Sequence, residues 1–147
     1  MKSFTRFLAA LILTAFLLNF TFAAGNPKGN REVSRNTVES LLIGLQSENL
    51  GLKTGSAYLL GELKLKEGII PLMKILREDK NDEARIAAAL ALYKIGTPMA
   101  IHAVKQSIRF DSNERVSRLC ANFYNEYLRN KTDDKEAMED STNVAVR

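Results

Sequence analysis

Polar side chains nearly vanish between residues 84 and 96, and the apolar ones recur at helical spacing. Ala84, Ala88, Ala91, Leu92 and Ile95 form one stripe. Ala87, Ala89 and Leu90 extend it around most of the cylinder, leaving polar groups only on Arg85, Tyr93 and Lys94. A helix of this kind must be enclosed on several sides. Its alanines let neighbours come close, and Gly96 supplies the left-handed residue that commonly ends a helix.

The same pattern returns at an offset of 32 residues in both directions. Leu52, Ala84 and Val116 correspond, as do Ala57, Ala89 and Ala121, then Leu60, Leu92 and Tyr124, and Leu63, Ile95 and Tyr127; the basic residues Lys53 and Arg85 become Ser117. A fixed period of this size marks a helical repeat array, in which no helix pair buries its apolar faces alone and neighbours share one core.

The first helices lie between these copies. Val38, Leu41, Leu42 and Leu45 form one face of a helix opened by Asn36 and Glu39 at capping-box spacing, with residues 50–64 as its partner. Ile69, Leu72, Met73 and Leu76 carry a third helix that tolerates Pro71 in its first turn, and Asn81 or Asp82 caps the central one. Thr97 and Pro98 open a fifth helix bearing Ile101, Val104 and Ile108; Asp111 and Glu114, again at capping-box spacing, open a sixth to about Leu128. Gly55 and Gly61 would each cost about 1 kcal/mol relative to Ala inside a helix, which implies close helix contact at both. The expected fold is all-α, a short α-solenoid of three antiparallel helix pairs over residues 36–129, with units at about 37–67, 68–99 and 100–131.

The run Asn81-Asp82-Glu83-Ala84-Arg85, followed by Ala87, Ala88, Ala89, Ala91, Leu92, Ile95 and Gly96, resembles the second helix of a HEAT repeat, in the short form of bacterial proteins and bilin-lyase-like domains. The likeness is fair over residues 52–63, where Gly55 and Ser56 replace alanines. It is weaker over residues 116–128, where Ser117 replaces the usual basic residue. Covering about residues 37–129, it implies three HEAT-like repeats and a binding scaffold more than a catalyst. Bilin-lyase-like proteins work in the cytoplasm, which the first residues of this chain contradict.

Residues 1–24 do not follow the repeat. Lys2 and Arg6 precede an apolar run over residues 7–18 broken only by Thr14, and Thr21 and Ala23 are small residues two apart, the anatomy of a secretory signal peptide. A membrane anchor is the competing reading, since a bilayer needs roughly 20 apolar residues; Thr14, Asn19 and Thr21 count against it. No cysteine follows the run to carry a lipid. The expected location is therefore periplasmic or extracellular in a bacterial source, with no membrane span once the signal is cleaved. Residues 25–35, with Pro27 and several Gly and Asn, are expected to be a flexible lead-in, and residues 130–147, net acidic by two, a disordered polar tail. Loss of Lys2 and Arg6 would leave 19 basic against 17 acidic residues, so the formal charge falls from +4 to +2. That near-neutral balance, with export, excludes nucleic acid as an expected partner.

Catalysis has little to build on, because the chain holds one His and one Cys. His102 shares a helix face with Lys105 and Arg109, either an anion-binding strip or a solvated face. Cys120 reads as a small buried hydrophobe, with a reactive thiol or an intermolecular disulfide as the competing reading. One His and one Cys cannot hold zinc, and Asp79, Asp82 and Glu83 lack the glycine turn and later Glu of a calcium loop. No catalytic residue, metal or cofactor is expected.

Binding is better served. Second helices of a solenoid present equivalent positions in parallel rows: Lys53, Arg85 and Ser117; Glu62, Lys94 and Glu126; Tyr58, Leu90 and Asn122. Lys53, Tyr58, Glu62, Arg85, Leu90 and Lys94 are the candidate contacts for a peptide or protein partner, aromatic and apolar groups supplying energy and charges setting register. For Lys53 and Arg85, pairing with turn acids such as Asp82 is the alternative. Phe123 and Tyr127, close together in the last helix, are candidates for a homodimer contact. A small-molecule-binding or enzyme-accessory domain using His102 or Cys120 is the second functional class, which a deep pocket beside either residue would favour.

Overall fold

The computed structural model describes residues 33–144, with side chains described for residues 33–135. The expected signal peptide, and all but the last three residues of the expected lead-in, lie outside the described residues. Those described residues fold into α1 (Arg35–Leu45), α2 (Leu50–Glu62), a 3₁₀ turn (Lys66–Gly68), α3 (Ile69–Glu78), α4 (Asp82–Ile95), α5 (Pro98–Phe110) and α6 (Glu114–Val144). Helices α1, α3 and α5 pack in one layer and α2, α4 and α6 in the other, with each odd helix against the even one that follows it. This is the all-α solenoid of three helix pairs. Its core holds Leu60, Leu72, Leu92, Val104, Val116 and Cys120, all fully enclosed.

The second helices start alike. Asn49, Asn81 and Asn113, spaced at the repeat, each cap a helix: Asn49 accepts from the Leu52 amide at 3.0 Å, Asn81 from Glu83 at 2.9 Å, and Asn113 from Arg115 at 2.8 Å. Two residues earlier, Ser47, Asp79 and Asp111 accept from the amide of that Asn at 3.1, 2.9 and 2.8 Å. Asn81, not Asp82, therefore caps the central helix. The capping box expected at Asp111 and Glu114 gives way to Asn113, because the Asp111 carboxylate is engaged in the turn. Thr97 caps α5 as expected, with Pro98 at its first position. Neither does Asn36 form a box with Glu39: α1 begins two residues earlier, with Ser34 at the cap position, and Glu39 accepts from Arg35 Nε at 3.0 Å.

Helix ends explain the last element. Lys64 (φ 50°) and Gly96 (φ 71°) are left-handed at the same repeat position, just past α2 and α4. The third copy has Leu128 there, and α6 runs through that position with no left-handed residue to end it. The backbone consequently stays helical to Val144, over residues expected to be a disordered tail. Lys131, Lys135, Glu136, Ala137, Met138 and Glu139 are good helix formers and support the extension.

Gly61 and Gly55 differ. A Cβ on Gly61 would lie 2.8 Å from the Ala91 Cα, so α2 and α4 meet almost backbone to backbone. Gly55 is exposed with nothing within 4 Å, and close contact does not account for it.

Candidate functional site

Two sets of polar contacts join successive second helices, and only one faces solvent. In the inner set, Arg85 Nε and Nη2 donate to the two carboxylate oxygens of Asp111, each at 3.0 Å, and Nη1 donates to the Asp79 carbonyl at 2.9 Å. Asp82 Oδ1 lies 2.8 Å from Nη2. One repeat earlier, Lys53 donates to Asp79 Oδ2 at 2.6 Å. Each cation reaches the turn of the following repeat, 26 residues on. Hydrogen bonding to Asp111 pushes the Arg85 pKa further up, outweighing burial. Burial pushes the Asp79 carboxyl up, but Lys53, the Asn81 amide and the Arg85 charge together hold it below the usual carboxylate range.

This ladder corrects the expected partner surface. Arg85 is 8% exposed and makes four polar contacts with three residues, and Lys53 is half-buried against Asp79. Both belong to the structural alternative, pairing with turn acids. Ser47 occupies the first acid position and Ser117 the last basic one, where Ser117 Oγ instead donates to the Ile108 carbonyl. The acids at 79 and 111 were readable in advance: applying the 32-residue offset to the turns, as well as the helices, aligns them and the three asparagines.

The outer set lies around α4 from Arg85. Lys94 forms an ion pair with Glu62 of α2 and sits 4.8 Å from the centre of the Tyr58 ring. Hydrogen bonding to Glu62 raises the Tyr58 phenol above its ordinary value; Lys94, bonded to Glu62, holds that carboxyl low and is itself raised. Half-buried Leu90 lies one turn before Lys94. Tyr93 turns toward α6 and stacks on Phe123, centroids 5.7 Å apart and planes 13° from parallel. Tyr93 and Phe123 are the repeat equivalents of Gly61 and Ala91. The contact that brings α2 onto α4 is thus replaced, one repeat later, by two rings that hold α6 away. The junction opens a shallow cleft lined by Tyr93, Asn122, Phe123 and Arg129. Phe123 is therefore committed to Tyr93, and Tyr127 is half-buried.

Tyr58, Glu62, Leu90 and Lys94 therefore share one outward surface with Tyr93 and Phe123, while Lys53 and Arg85 are engaged with Asp79 and Asp111 near the starts of α2 and α4. The other candidates lie apart. His102 is exposed on α5, and its neighbour Lys105 sits 5.4 Å from the Tyr124 ring centre. Cys120 is enclosed, and burial pushes its thiol up to about 12. An open cleft of about 660 Å³ between α3 and α5 is lined by Ile70, Met73 and Phe110 with Lys74 and Arg77, and neither His102 nor Cys120 borders it. Among the described residues no group of three His, Cys, Asp or Glu side chains is placed to hold a metal ion, and no helix is long and apolar enough to cross a membrane.

Comparison with known families matches residues 38–122 to HEAT repeats. No curated protein matches the sequence.

Proposed function

Because the chain belongs to the HEAT-repeat family, whose repeats generally mediate protein–protein contact, we propose that it is an exported scaffold holding a peptide or protein segment across α2 and α4. The observation that carries this reading is the outward grouping of Tyr58, Glu62, Leu90 and Lys94. An aromatic ring, a half-buried leucine and an exchangeable ion pair lie together, and the neighbouring cleft at Tyr93 and Phe123 continues the surface. An apolar side chain of the partner would lie on Tyr58 and Leu90 and supply most of the affinity. Its charged neighbours would exchange with Glu62 or Lys94 and set register. Export rests on the charged start, apolar run and small-residue site within residues 1–24.

The test is site-specific photo-crosslinking in expressing cells, with the crosslinker at position 58 or 90, and at Gln106 on the first-helix layer for comparison. The expected result is a defined adduct from 58 and 90 but not from 106. Purified, that partner should bind the wild type and lose binding to a Tyr58→Ala, Leu90→Glu, Lys94→Glu triple variant of unchanged helical content. Adducts from 106 alone, or binding that survives the triple substitution, would refute the surface. Recovery of the protein with residues 1–24 intact from the cytoplasmic fraction would refute export.

A further inference from the structure

The first repeat leaves open a face that the later repeats bury. Ala84, Ala91 and Ile95 of α4 face α2 and are 1%, 0% and 8% exposed; their repeat equivalents Leu52, Leu59 and Leu63 are 55%, 46% and 43% exposed. At helical spacing these leucines form a single stripe on the side of α2 opposite Gly61, which marks the contact with α4. Ile43 of α1 extends the patch at 70% exposure, and its equivalent Ile75 is half-buried beside Leu45 of the preceding repeat. Terminal repeats ordinarily turn a polar face outward. Here the patch leaves on the order of 400 Å² of apolar surface open, the scale at which an exposed patch on a soluble protein is often functional.

We infer that this face pairs with the same face of a second copy across a two-fold axis, leucine stripe on leucine stripe. Two features argue against the alternative of one array continuing head-to-tail into the next. Where α2 meets α4 the closest approach is between small residues, Gly61 on Ala91, and where α4 meets α6 two stacked rings space the helices, whereas the open stripe carries leucines and so reproduces neither junction. A continued array would also extend the Lys53–Asp79 and Arg85–Asp111 ladder, which needs an acid at 47 and a base at 117; both are serine. Self-pairing needs neither. Arg35 and Glu39, on the same helix as Ile43, neutralise each other, so two copies meet without net repulsion from that pair. Two patches together bury on the order of 800 Å² of apolar surface, which with a polar rim reaches the range of a specific interface.

The protein should be purified as its host processes it and its mass measured by sedimentation equilibrium across the micromolar to sub-millimolar range. A monomer–dimer equilibrium is expected, with Leu59→Glu raising the dissociation constant at least about a hundredfold while leaving helical content unchanged. A Leu59→Cys variant should form a disulfide-linked dimer on mild oxidation, and Met99→Cys, at the start of α5, should not; buried Cys120 does not compete. A monomer at every concentration, an open-ended series of larger species, dimers indifferent to Leu59→Glu, or equal cross-linking at 59 and 99 would each overturn the inference.

Discussion

Replacing Arg85 with Met removes the only cation that meets Asp111 directly among the described side chains. The side chains of Arg85 and Asp111 are 10% and 5% exposed, so solvent replaces little of what is lost. Breaking a buried pair by removing one partner costs about 3–5 kcal/mol, because the remaining charge stays enclosed. With a urea slope of about 1–3 kcal/mol per molar, the unfolding midpoint should fall by roughly 2 M at unchanged slope. Asp111→Asn keeps an oxygen for the Asn113 amide and leaves Arg85 its bonds to Asp82 and the Asp79 carbonyl, so it should cost less, about 2 kcal/mol. Combined, the two changes should cost well below their sum, since no unpaired ion remains, giving a coupling of at least about 2 kcal/mol. Arg85→Lys, which imitates the Lys53–Asp79 pair, should fall between wild type and Arg85→Met. A loss under about 1 kcal/mol for Arg85→Met, or additive single changes, would show that the ladder does not hold the repeats together and would return Arg85 to the partner surface.

Two glycines of α2 should respond with opposite sign in the same unfolding assay. Gly55→Ala, meeting nothing, should stabilise by about 0.5–1 kcal/mol, and Gly61→Ala should destabilise by about 1–3 kcal/mol as α2 and α4 are forced apart, net of its propensity gain. Cys120 should resist a thiol reagent at pH 8 in the folded protein and react fully on unfolding; labelling at the rate of a model thiol would contradict its burial. Asp79, whose folded pKa is depressed, contributes stability in full above its unfolded value of about 3.9, lost as pH falls through the lower folded value. Lys53→Met should flatten that acid limb of unfolding free energy against pH, and an unchanged limb would show that the pair contributes nothing.

Sequence alone determined the class, number and order of the helices among the described residues. The 32-residue period survives because each repeat solves the same local problem, an apolar stripe that needs neighbours, and Thr97–Pro98 and Gly96 announce their boundaries through backbone chemistry that depends on nothing distant. Tertiary structure decided which side chains were left over for function. Arg85 and Lys94, nine residues apart, lie on opposite sides of α4, and nothing within that helix says which side is enclosed; the Asp111 turn of the next repeat encloses Arg85, while Lys94 pairs with Glu62 beside Tyr58. Likewise Gly55 and Gly61 carry the same local cost, and only the position of Ala91 separates them. Leu52 and Ala84 share a repeat position, yet one is open and the other enclosed because, among the described residues, only the second has a repeat packed before it. Local patterning fixes conformation through interactions within a few residues, whereas exposure and charge pairing depend on what packs alongside, and the array supplies that only once it is assembled.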